Sequence, residues 1–282
     1  MGKLGDRSEV DGPNRLVPVH DGRSAEVSGA IAEDVAVLGA ACRTGVISDR
    51  RVSELRSFVE EALSADLAWH DPDDDENAGR VTFLPRYGAL PLFLLDDDGV
   101  MDPVVELFGP DTELYTMTTA CQSPGFPGRR IHVDVTGQPP EYVLALGVIV
   151  LLDDFDDTSG PTRFFPEVTT DLPTEEEFAA RSRRLHAPAG SVCWFNAGVW
   201  HDVLPNRGTS WRHSILIAMG RPGRRPRFDM PRMLSHLDLD GLPRRVKRRL
   251  GLLSLPPGSY EEYYLPDEVR HEAILRGALD RC

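Results

Sequence analysis

The chain has 282 residues with 31 Lys and Arg against 45 Asp and Glu, and its formal charge of -14 argues against a nucleic-acid partner, whose phosphates are gripped by basic side chains. Hydrophobic residues at 41% and charged residues at 27% are globular proportions, which exclude a fibrous or wholly disordered chain. No stretch approaches the roughly 18 consecutive apolar residues of a membrane span, so no membrane association is expected.

The first 25 residues mix Gly, Pro, Asp and Arg without apolar period and read as a flexible N-terminal arm, with no signal-peptide core. Residues 26–282 read as one domain with helical additions at both ends. From Ser48 an amphipathic helix is predicted, because Val52, Leu55, Phe58, Val59 and Leu63 recur at helical spacing behind a capping Ser48 or Asp49. The acidic run 71–76 reads as a solvated loop. Beyond Val81 short Val-, Ile-, Thr- and Phe-rich segments alternate with Gly, Pro and Asp clusters, the texture of an antiparallel β-architecture. Strands are predicted over 113–121, 130–135, 142–152, 162–165, 191–195 and 212–219, and the nearly continuous apolar run 144–152 predicts a strand buried on both faces. Residues 174–185 read as an inserted helix with Thr174 and Glu177 as a capping box, and two more helices are predicted around 242–250 and 267–279. The fold class is therefore mainly β with flanking helices.

Cys42, Cys121, Cys193 and Cys282 are scattered without the spacing of a zinc knuckle or disulfide framework, which fits a reducing, cytoplasmic setting. Positive charge gathers locally in 221–227 and at Arg244, Arg245, Lys247, Arg248 and Arg249. That segment reads first as a solvated face and second as a site for an anionic substrate or a carrier protein.

His132 and Asp134 stand two apart in a strand context, so both side chains point to one face and can reach one metal ion. His201, carried by a Gly-containing turn to the next strand, completes a set of two imidazoles and one carboxylate. Such a set leaves coordination positions open and is associated with non-haem iron(II) oxygenases, whereas the absence of thiolate ligands fits a closed structural zinc site poorly. Arg212, eleven residues beyond His201, offers a planar guanidinium able to grip the distal carboxylate of a dicarboxylate co-substrate.

The pattern His132-x-Asp134, His201, Asn206 five residues later and Arg212 eleven residues later resembles the phytanoyl-CoA dioxygenase-like family of iron(II)- and 2-oxoglutarate-dependent oxygenases. The resemblance covers residues 30–220. It implies a double-stranded β-helix (a cupin-like jelly roll), iron(II) held by His132, Asp134 and His201, 2-oxoglutarate anchored by Arg212 with Gln122 beside it, and dioxygen as oxidant. The family's Pro-Gly-Ser-His ending of the linking loop is missing here, where Pro166 is followed by Glu167, Val168 and Thr169. Halogenating relatives replace the carboxylate ligand with a small residue; Asp134 is retained, so hydroxylation of a small-molecule substrate, free or carrier-bound, is the implied outcome, with desaturation or ring closure beside it. The Arg-, Pro- and Gly-rich composition suggests a high-GC bacterial source and natural-product tailoring. Two other readings stand: a cupin-like zinc or manganese hydrolase or isomerase, and an inactive binding module that keeps the fold. Arg130 and Arg163 read as surface residues before substrate contacts, Trp194 and Trp200 as packing, and His186 and His213 as non-ligands, with His213 facing away from Arg212.

Overall fold

The computed structural model describes residues 15–22, 24–67, 79–139, 142–253, 257, 259–266 and 269. Its strands, numbered in chain order, form two sheets. The larger runs β1 (Val19–His20), β2 (Ala40–Arg43), β8 (Val192–Asn196), β5 (Ala145–Leu151), β10 (Ser214–Gly220) and β3 (Glu113–Thr119). The smaller runs β4 (Arg129–His132), β9 (His201–Val203), β6 (Thr162–Phe164) and β7 (Arg183–Arg184). Pairing is antiparallel except between β1 and β2, and from β3 onward the chain passes back and forth between the sheets. The result is mainly β with flanking helices: a jelly roll, or double-stranded β-helix.

Strand β5 shows why the sequence takes this form. All seven of its residues are buried. Leu146, Val148 and Val150 join the core beneath the helices, while Ile149 and Leu151 join Cys193, Phe195, Phe155 and Phe164 between the sheets. A strand sandwiched between two apolar layers has no polar face to alternate with, hence the unbroken hydrophobic run.

Helices pack on the outer face of the larger sheet. Ser24 caps α1 (Ala25–Leu38) and Ser48 caps α2 (Asp49–Asp66), each accepting from the backbone N–H three residues on. Helix α2 buries Val52, Leu55, Val59 and Ala62. Helix α3 (Asp98–Phe108) was not expected, since Gly99 and Pro103 disguise it. It is anchored by Trp194, whose indole N–H donates to the Val100 carbonyl at 2.9 Å. Helix α4 (Glu175–Arg181) has the full capping box of Thr174 and Glu177 but ends at Arg181, because Arg183 and Arg184 leave it to pair with β6 as β7. Short helices α5 (Met230–Met233), α6 (Arg244–Arg249) and α7 (Tyr260–Tyr263) follow.

Residues 15–22 are not the loose arm the composition suggested. Val17 is buried, its N–H donates to Arg184 O at 2.9 Å, and β1 extends the larger sheet, so this stretch laces the edges of both sheets. Residues 1–14, the acidic run 71–76 and most of the 267–279 helix lie outside the described residues. Part of the basic C-terminal charge is paired internally: Arg245 with Asp96 and Asp98, and Arg248 with Asp111 at 3.0 Å, while Arg249 turns inward to the Leu95 carbonyl. Among the described residues no helix is long and apolar enough to cross a membrane. Cys42, Cys121 and Cys193 are free and buried, and burial raises the Cys42 and Cys121 thiols to about 12.

Candidate metal centre

Strands β4 and β9 pair with His132 directly opposite His201. Asp134 lies two residues past the end of β4, not within a strand, and its place is set by the turn linking β8 to β9. The Asp134 and Val135 N–H groups both donate to Ala197 O, at 3.1 and 2.9 Å. That turn is itself fixed: Asn196 Oδ1 accepts from Gly198 N–H at 3.0 Å and from the Gln138 amide at 2.6 Å, and Gln138 Oε1 accepts from Leu144 N–H at 3.1 Å. One turn therefore aligns the carboxylate with the second histidine.

The imidazoles are fixed in the same tautomer. His132 Nδ1 lies 2.8 Å from Arg130 O, and His201 Nδ1 lies 3.0 Å from Val199 O. A carbonyl only accepts, so each Nδ1 carries the proton and each Nε2 keeps its lone pair. Both Nε2 atoms face Asp134 Oδ1 at 3.9 Å, and the three ligand atoms lie within 4.8 Å of one another. Burial, and secondarily the neighbouring His201, holds the His132 pKa below the ordinary 6.5, which keeps the ring neutral as a metal ligand must be. The donor set of two neutral nitrogens and one carboxylate fits iron(II).

Arg212 opens onto the same cavity as the three ligands. It bridges to Gln122 just ahead of β10, the two residues exchanging N–H···O bonds of 2.9 Å in each direction. Its guanidinium donates to Gly160 O at 2.6 Å and Ala120 O at 3.0 Å and lies 4.0 Å from the Phe155 ring centre. Burial lowers its pKa to about 10, which leaves it protonated at neutral pH. Among the described residues its Nε has no hydrogen-bond partner, nor has the equally buried Gln122 Oε1. Asn206 is buried and structural: its amide donates to Gln122 O and Ser210 O, tying down the loop before Arg212.

Arg129, rather than Arg130, lines the cavity. A register shift in β4 between residues 129 and 132 puts Arg129 on the side of His132 and leaves Arg130 exposed. Arg163 is withdrawn into a two-pronged ion pair with Asp202, at 2.6 and 3.0 Å. His213 faces away from Arg212, as expected, with Nδ1 2.7 Å from Asp153 Oδ2. Trp194 packs under the helices, and Trp200 donates to Thr169 O at 3.1 Å. His186 lies 3.2 Å from Asp157 and is not among the three clustered ligands. Sequence reasoning missed Phe155, Gly160, Gln138 and Arg80, none of which carries a spacing signal.

The profile of the family described as phytanoyl-CoA dioxygenase (PhyH) matches residues 38–214. A dioxygenase named cdmA, from Talaromyces verruculosus, is 26% identical over 108 residues, a match spanning 34% of this chain and 36% of that protein. Among solved structures, the non-haem monooxygenase ThoJ in its nickel complex superposes with a TM-score of 0.57 at 17% identity, covering 70% of this chain and 80% of that one. The non-haem α-ketoglutarate-dependent carbocyclase SnoK from nogalamycin biosynthesis gives 0.56 at 18% identity, covering 72% and 91%. HygX from Streptomyces hygroscopicus, with nickel and 2-oxoglutarate bound, gives 0.56 at 15% identity, covering 71% and 88%. With its family profile matched across more than half its length, the chain belongs to the phytanoyl-CoA dioxygenase family.

Proposed function

We propose that the protein is an iron(II)- and 2-oxoglutarate-dependent oxygenase that hydroxylates a small molecule, with His132, Asp134 and His201 as metal ligands and Arg212 as co-substrate anchor. The observation that carries this reading is the pairing of two tautomer-locked histidines around one carboxylate with a buried, protonated guanidinium in the same cavity. When bound, iron supplies dioxygen activation coupled to oxidative decarboxylation of 2-oxoglutarate to succinate. The rest is positioning by this chain. Arg212 is backed by two carbonyls and an aromatic face, and its Nε–H, unpartnered among the described residues, can donate to a carboxylate. A half-turn of the Gln122 amide brings its NH2 inward as a further donor. Ile149, Phe195, Val203 and Leu216 form an apolar wall that limits water beside the metal ligands. Retention of Asp134 favours hydroxylation over halogenation. The relation to SnoK, a carbocyclase from nogalamycin biosynthesis, supports a role in natural-product tailoring, and the three free, buried cysteines fit a reducing, cytoplasmic setting. A hydrolase or isomerase would leave the buried Arg212 without a task.

The test is anaerobic addition of ferrous iron and 2-oxoglutarate to metal-free protein. A weak visible charge-transfer band is expected in wild type and lost in His132→Ala and Arg212→Ala. Iron binding without the band in wild type would remove 2-oxoglutarate from the reading.

A further inference from the structure

The turn that links β8 to β9 serves two of the three metal ligands at once. Its Ala197 carbonyl accepts from the N–H groups of Asp134 and Val135, and its Val199 carbonyl accepts the Nδ1 proton of His201. The Asp134 carboxylate stands 3.9 Å from each histidine Nε2, too far for a hydrogen bond, so its place is inherited from the backbone bonds to Ala197 O. A shift of this turn therefore moves a carboxylate and an imidazole together and changes the angle between them.

The root and the tip of the turn are held by different means. At the root, Asn196 N–H donates to Gly39 O at 2.9 Å and Ala197 N–H to Ala145 O at 3.0 Å, which ties it to the larger sheet. Toward the tip, Val199 N–H donates back to Asn196 O at 3.0 Å and Gly198 N–H to Asn196 Oδ1 at 3.0 Å, so the tip follows the orientation of Asn196. That orientation is steered by Gln138, whose amide donates to the same Oδ1 at 2.6 Å while its own Oε1 accepts from Leu144 N–H at 3.1 Å. Gln138 stands four residues beyond Asp134, and Gly137, with φ +71°, turns the chain between them. Asp134, Gln138, Asn196 and Ala197 thus close a ring of chain and hydrogen bonds behind the metal ligands. Both amides are buried, so bulk water does not replace a bond lost between them. Gly198 leaves the room they need, since a Cβ there would lie 2.6 Å from Gln138 Nε2.

On the reading of His132, Asp134 and His201 as metal ligands, we infer that Gln138 is a positioning residue of the metal centre: acting through Asn196, its amide sets the angle at which Asp134 and His201 meet the metal. The test titrates the full, metal-free chain with cobalt(II), whose visible bands report coordination geometry as well as occupancy. Gln138→Met keeps the side-chain length and removes both hydrogen bonds. It should fold, bind cobalt about tenfold more weakly than wild type and show displaced bands. Gly198→Ala reaches the same end without altering Gln138, because the new methyl pushes the amide away from Asn196. If both act through one amide, the double variant should lose no more affinity than Gln138→Met alone. Val59→Ala, which opens a cavity in the core under α2, is the control for general loosening: it should lower Tm and leave cobalt affinity and bands as in wild type. Wild-type bands and affinity in Gln138→Met, losses that multiply in the double variant, or equally displaced bands in Val59→Ala would each overturn the assignment. Should Gln138→Met not fold, Gly198→Ala against Val59→Ala decides it on the same readings. Wild-type protein that binds no cobalt would instead defeat the metal-centre reading beneath.

Discussion

At the residue scale the site depends on a missing side chain. Gly147 lies opposite Phe195, and a Cβ there would fall 2.0 Å from the Phe195 ring. Phe195 in turn packs against His201 with ring centres 5.2 Å apart. Gly147→Ala is therefore expected to cost about 1–3 kcal/mol and to weaken nickel binding, because the displaced ring pushes on a metal ligand. Thermal denaturation and a nickel titration check both; loss of stability with unchanged nickel affinity would show that Phe195 does not transmit the strain. The residues the structure gathers at the cavity were legible where chemistry fixes both identity and spacing: His132, Asp134, His201 and Arg212. Arg129 was illegible because one bulge in β4 reverses which neighbour faces inward. Phe155 and Gly160 were illegible because they act on Arg212 from another part of the chain, through a ring face and a carbonyl.

At the element scale, strands with two apolar faces and helices with clean caps could be read directly, as β5 and α2 show, while α3 was lost behind Gly99 and Pro103. What locks these elements together was not legible, since it depends on long-range polar contacts. The junction after β5 is the clearest case. Asp153 Oδ2 accepts from the His213 backbone N–H and ring Nδ1, both at 2.7 Å, and Asp153 Oδ1 pairs with Arg56 of α2 at 2.8 Å. The clamp fastens α2 to the residue next to Arg212. Burial alone would raise the Asp153 pKa, but the His213 hydrogen bonds and Arg56 outweigh it and hold it below the ordinary 3.8. A carboxylate that binds its proton less tightly when folded stabilises the fold above its unfolded value, and that stabilisation disappears as the pH falls through the lower folded value. Asp153→Asn should thus be less stable than wild type by about 1–3 kcal/mol near neutrality, with the gap closing below about pH 4. Urea denaturation of both proteins across that range measures the gap; a gap that stays constant into acid would rule out the ionised clamp as its source.

At the scale of the whole molecule, the two apolar cores lie on opposite faces of one sheet, with β5 and β8 contributing side chains to both. Melting either core would expose the sheet that forms the wall of the other. We therefore propose that the described residues, β1 included, unfold as one cooperative domain, and ligand binding provides the test. A ligand that binds only the folded state at 100 times its Kd adds about 2.7 kcal/mol, and about 2–4 °C in Tm per kcal/mol applies to a chain of this size. Nickel with 2-oxoglutarate should raise Tm by roughly 5–10 °C, a shift reversed by a chelator and absent in His201→Ala. Tryptophan fluorescence reports on the helix-side core through Trp194 and on the turn beside His201 through Trp200, while far-ultraviolet circular dichroism reports on the whole backbone. If the domain is single, both signals move together by the same amount. If ligand raises one transition and leaves the other behind, the barrel holding the metal centre melts apart from the helices outside it, and the shared sheet does not couple the two cores.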